Sequence, residues 1–101
     1  MKFPKFEIDD QSIKQLAKRY QIIELSLFGS VLRNDFSDQS DLDFLVVFSA
    51  DADYSYFDLM EIKESFEKAT NRRVDLVEKD SIRNPYRRQE ILGTAKVIYA
   101  A

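Results

Sequence analysis

The stretch IIELSLFGSVLRNDFSDQSDLDFLVVF, from Ile22 to Phe48, decides how this chain folds. Its two ends, Ile22 to Phe28 and Leu42 to Phe48, are apolar, β-rich runs of strand length. Leu42 to Phe48 is apolar on both faces, so it is expected to lie centrally in a sheet. Between them, Gly29-Ser30 follows the first run directly. Residues 31–40 include Asn34, Asp35, Ser37 and Ser40, and predict a short helical turn followed by a loop. Gly29 is one of only two glycines in the chain. Lacking a Cβ, it allows a sharp turn and lets a ligand approach its amide. Ser30 then stands at a helix N-terminus, where free N–H groups favour an anion such as a triphosphate. By itself the pair is equally an ordinary turn with Ser30 as its N-cap.

Ten residues after Ser30 come Asp41 and Asp43. Two apart at the start of a strand, they project from one face and bring their carboxylates together. A fraying loop end accounts for Asp41 but poorly for Asp43, because aspartate is a weak strand former. Asp75 repeats the anomaly inside VDLV, Val74 to Val77. If that strand lies beside Leu42–Phe48, about 4.8 Å away, Asp75 reaches the same spot. Facing solvent, or pairing with Arg72 or Arg73, is the alternative for Asp75. Two carboxylates about 5 Å apart repel by ~3 kcal/mol at an effective dielectric of 20. A marginally stable chain has no reason to keep three together idle. Divalent cations remove the penalty, and an all-oxygen donor set suits Mg²⁺. A phosphate-cradling turn opposite three aspartates is equipment for two-metal phosphoryl or nucleotidyl transfer.

The rest of the chain supplies support. Asp9 or Asp10 caps a helix with Ile13, Leu16, Ala17 and Tyr20 along one stripe. A second helix is expected over 53–69, with Leu59, Ile62, Phe66 and Ala69 inward. Asn84-Pro85 fits a cap and first helical position, and Gly93 the residue just past a helix end. Val97 to Tyr99 adds an edge strand. The order predicts α/β: one domain over 1–101, a small mixed sheet flanked by helices.

Composition excludes much other chemistry. No histidine and no cysteine are present, which removes Ser-His-Asp triads, Cys nucleophiles and His- or thiolate-bound metals. No apolar run approaches the roughly 20 residues of a membrane span, and the first ten residues do not read as a signal peptide. A cytoplasmic location is expected. Net charge is −3, so nucleic acid is not expected as a direct partner, although a local basic patch has room.

Gly29-Ser30, ten residues, then Asp41-Leu42-Asp43 resembles the Gly-Ser-x10-Asp-x-Asp signature of the DNA polymerase β-like nucleotidyltransferase superfamily. The likeness spans nearly the whole chain and is nearest to the minimal nucleotidyltransferases, the MNT proteins of bacteria and archaea. It implies the nucleotidyltransferase fold, with Gly29 and Ser30 on the β- and γ-phosphates and Arg33 as a phosphate contact. It implies Asp41 and Asp43 on two Mg²⁺ ions, with Asp75 completing the catalytic metal site and activating the acceptor hydroxyl. For Arg33 an ion pair to Asp35 or Asp38 is the plainer account. Family members often have glycine after the loop arginine; here Asn34 follows Arg33, and asparagine tolerates the left-handed conformation. The resemblance further implies transfer of AMP, or another nucleoside monophosphate, from a Mg²⁺-bound triphosphate such as ATP. The implied acceptor is a tyrosine of a HEPN-domain toxin, an antitoxin role. Neutralisation by binding alone, nucleotidylation of a small-molecule hydroxyl, homo-oligomerisation, and an acceptor or partner surface at Arg87 and Arg88 are left open.

Overall fold

The computed structural model describes residues 1–101. Their elements follow in the order β1 (Lys2–Phe3), β2 (Phe6–Glu7), α1 (Asp10–Arg19), β3 (Ile22–Phe28), β4 (Leu42–Phe48), α2 (Tyr56–Thr70), β5 (Val74–Glu78), α3 (Pro85–Thr94) and β6 (Lys96–Ala100). Single 3₁₀ turns occupy Gly29–Leu32 and Lys79–Ser81. The fold is α/β, as expected from the sequence.

Capping chemistry sets the helix starts. The Asp9 carboxylate accepts from the Gln11 amide and from the Ser12 hydroxyl. Ser55 and Asp58 form a reciprocal capping box that starts α2 at Tyr56, three residues later than the hydrophobic pattern suggested. Asn84 accepts from Tyr86 and Arg87, with Pro85 at the first helical position. Gly93 is a correction. Helix α3 continues through Thr94 and caps at Ala95, so Gly93 lies within the helix. The left-handed turn that glycine would have served is absent there, and Asn71 provides one at the end of α2, with φ 55°.

The main sheet has the order β5-β4-β3-β6. Strand β4 runs antiparallel to β3 and parallel to β5, and β6 closes the other edge antiparallel to β3. The sheet is therefore mixed, and β4 is interior, as its two apolar faces require. One face carries Leu25, Leu27, Leu42, Phe44 and Val74 against α1 and α2, where Ile13, Ala17, Ile62 and Phe66 are buried. The opposite face carries a smaller cluster of Phe28, Leu45, Ile82 and Ile91 beneath α3. That second face is the one Asp43 and Asp75 share with Leu45 and Val77, because side chains alternate along each strand.

The first ten residues hold more structure than the sequence suggested. Strands β1 and β2 form a hairpin whose Phe6 meets Phe36 edge-on, with ring centroids 5.8 Å apart. Phe36 anchors the loop between Ser30 and Asp41. Arg72 clamps the same loop: its guanidinium lies 4.3 Å from the Phe36 ring centroid and donates to the carbonyls of Ser37 and Ser40. This side chain is only 15% exposed, and its bond to Ser40 is partly shielded from water. Arg72→Ala is expected to cost about 2 kcal/mol through lost charge-assisted hydrogen bonds and stacking. A thermal melt should fall by roughly 10 °C. Arg72→Lys should recover little, since an ammonium lacks the fork that spans two carbonyls.

Candidate active site

Strand register assembles the site. Asp43 on β4 pairs directly with Asp75 on β5, and Phe28 at the end of β3 pairs with Asp43. All three strands therefore bring one end to the same place. Asp43 is half-buried; Asp75 and Asp41 are exposed beside it. The loop clamp delivers Asp41 to the start of β4. Its carboxylate takes an ion pair from Arg73 at 3.0 Å.

Gly29 closes on this cluster. Its φ is +77°, and a Cβ built there would overlap the Asp43 carboxylate. The loss of a side chain is what lets backbone and carboxylate touch. Ser30, half-buried, is the second residue of the 3₁₀ turn. A single turn carries little macrodipole, so any anion held there depends on local amides and on nearby cations.

Electrostatics single out Asp43. Burial, then the charges of Asp75 and Asp41, push its carboxyl up to about 6, while Arg33 and Arg87 pull in the opposite direction. Carboxylate repulsion is thus concentrated on the residue that sits deepest. The donor set is entirely oxygen, matching a hard cation such as Mg²⁺ and no softer metal. The donor chemistry fits a hard cation, but as they stand the three carboxylates do not converge into a metal-holding group, and Arg73 occupies Asp41.

Arg33 pairs with Asp35 at 3.2 Å, the plainer of the two expectations for it, and also lines a cleft of about 550 Å³ running from Gly29 under α3. Phe28 from β3 and Leu32 from the 3₁₀ turn line it, as do Arg87 and Ile91 from α3. The carboxylates stand outside this cleft and meet it at Gly29. Three details go beyond the sequence expectations or correct them. Arg72 and Arg73 pair with Asp38 and Asp41, and Asp75 is exposed without an ion pair, the solvent-facing alternative. Asn34 does not enter the left-handed region, which among non-glycine residues holds only Gln21 and Asn71. Arg87 and Arg88, undecided from sequence, separate: Arg88 donates to the Lys79 carbonyl at 2.7 Å, and Arg87 faces the cleft. Helical spacing shows that neighbours diverge, but not which one turns toward the site.

The sequence profile of the nucleotidyltransferase domain matches residues 10–98. The chain belongs to that family. A protein of Methanocaldococcus jannaschii, provisionally named a protein adenylyltransferase, is 36% identical over 78 residues, covering 77% of this chain and 78% of the relative. The protein adenylyltransferase MntA of Thermococcus cleftensis is 35% identical over 71 residues, 70% of each chain. Among solved structures, a toxin–antitoxin crystallised with AMP-PNP superposes with a TM-score of 0.75 at 22% identity, over 93% of this chain and 75% of that one. The complex of a tri-AMPylated HEPN toxin of Shewanella oneidensis with an MNT antitoxin superposes at 0.66 and 22% identity, over 91% and 70%. These structural likenesses show the nucleotidyltransferase fold. No helix of this chain is long and apolar enough to cross a membrane.

Proposed function

We propose that residues 1–101 act as one nucleotidyltransferase domain that moves AMP from Mg²⁺-bound ATP to a tyrosine hydroxyl of a HEPN-domain toxin, silencing it in the cytoplasm. The observation that carries this is the register of Asp43 on Asp75, with Gly29 closed against Asp43. Asp41, Asp43 and Asp75 would hold Mg²⁺, which when bound neutralises phosphate charge and lowers the barrier to displacement. Gly29 and Ser30 present backbone to the β- and γ-phosphates, and Arg33 adds a positive charge. Asp75, exposed at the rim, is placed to take the proton of the acceptor hydroxyl as its oxygen bonds to the α-phosphorus and pyrophosphate leaves. Cationic and backbone groups thus meet the leaving group while carboxylates face the acceptor. Tyr56, Phe57 and Met60, exposed at the start of α2, give a protein acceptor a surface to grip.

Incubation with ATP, Mg²⁺ and a cognate HEPN-domain toxin should raise the toxin's mass by one AMP moiety per transfer. The Asp41→Asn, Asp43→Asn double variant should bind the toxin and add nothing. Full neutralisation by that variant would mean that binding alone silences the partner, and the transferase assignment would fall.

A further inference from the structure

We infer that Arg87, on the first turn of α3, is a nucleotide-binding residue that grips the triphosphate together with Arg33, making α3 the second wall of the nucleotide site. The inference rests on the proposed function for the identity of the ligand, and goes beyond it in assigning the cleft under α3.

Two observations bear on it independently. Arg87, on α3, and Arg33, after the Gly29–Leu32 turn, line the same cleft with Gly29, and Glu90 is the one acidic residue among its lining. Arg33 is shared with Asp35, whereas Arg87 forms no ion pair. A free guanidinium beside a carboxylate cluster, and not bonded to it, is positioned for a ligand that carries its own anions. The single 3₁₀ turn at Gly29–Leu32 is too short to neutralise a triphosphate through its dipole. Guanidinium groups do so through forked hydrogen bonds.

The rest of α3 is built to hold Arg87 in place. Asn84 caps the helix by accepting from the Arg87 amide. Arg88 ties its other side to Lys79, and Ile91 is buried against Phe28 and Leu45. Arg87 itself is exposed and packs into no core, so removing it should leave the fold intact.

Titration of the whole chain with ATP in the presence of Mg²⁺ tests this. Arg87→Ala should weaken ATP binding about tenfold, the loss of one charge-assisted hydrogen bond, at unchanged melting temperature. Arg87→Lys should bind within about threefold of wild type, because it keeps the charge and loses only the fork. Arg83→Ala makes the same change in net charge outside the cleft and should bind as wild type does. In turnover, Arg87→Ala should raise KM for ATP and leave kcat nearly unaltered, as expected for uniform binding. An unchanged ATP affinity in Arg87→Ala overturns the inference, as does an equal loss in Arg83→Ala. If ATP affinity depends on Arg87 but no partner gains AMP, the proposed function fails and the nucleotide contact stands.

Discussion

Replacing Gly29 with alanine is expected to reduce AMP transfer by about 100-fold or more, a loss of roughly 3 kcal/mol in transition-state stabilisation. The cause is local. At φ +77° an L side chain is strained by ~1–2 kcal/mol, and its Cβ would overlap the Asp43 carboxylate. Relief requires either the backbone to flip, which withdraws the Gly29 amide, or the Asp43 carboxylate to swing away, which takes it from its place beside Asp75. Both outcomes dismantle the site. Melting temperature should fall as well, and a combined activity and thermal-melt series separates the two effects. Gly93→Ala is the control. Nothing lies within 4 Å of a Cβ there, in the last turn of α3, so stability should rise by ~0.5 kcal/mol. A Gly29→Ala protein with near-normal activity would show that the close approach of backbone to Asp43 has no part in catalysis.

Asp43→Asn is expected to lose activity as well but to change stability in the opposite direction. Transfer should fall by at least about 100-fold, since several kcal/mol of charge stabilisation is lost with the carboxylate. Stability without metal should rise. Asp43 titrates near 6 in the folded chain against 3.8 as the ordinary value, so the folded state prefers its protonated form. Its ionisation therefore costs nothing below pH 3.8, costs progressively more up to about pH 6, and is constant above that. After allowance for solvent screening of a half-buried group, the cost at neutral pH is on the order of 1–2 kcal/mol. Asparagine removes it. Melting curves of the variant and wild type should coincide near pH 4 and separate by several degrees by pH 7. If Asp43→Asn melts lower at neutral pH, the carboxylate is a structural acceptor and the strain described here is absent.

Much of this was legible before any coordinates, for identifiable reasons. The strands Ile22–Phe28 and Leu42–Phe48 were readable because their apolar runs are long enough to exclude other structure, and β5 because Asp75 interrupts one. Asp9 and Asn84 were readable as caps because a cap is a contact within one turn of chain. The hairpin at Lys2–Glu7 was not, since its strands are two residues each and draw their stability from Phe36, thirty residues on. For the same reason the partners of Arg72 and Arg73 stay open from sequence. Pairing with Asp75 is one alternative there, but the loop of residues 33–41 folds back to present Asp38 and Asp41, and Asp75 is left exposed. Gly93 misled because a glycine near a helix end usually marks a left-handed stop, and here the stop is Ala95 in an extended conformation. Arg87 lay beyond the reach of spacing alone, because its role depends on which face of α3 meets the sheet.

The pairing of Asp43 with Asp75 across β4 and β5 has a consequence for how faithfully this protein is made. The two residues are separated by the whole of α2, yet their alignment is fixed by Leu42 against Val74 and Phe44 against Leu76 on the opposite face. A slip of one residue in β5 would exchange those faces, driving Asp75 beneath α2 and exposing Val74. A buried unpaired carboxylate costs several kcal/mol, a large part of what a domain of this size has in hand. Misaligned molecules would therefore unfold rather than persist as well-folded but inert copies. The hydrophobic face proofreads the catalytic one, and each chain that survives folding carries its aspartates in alignment.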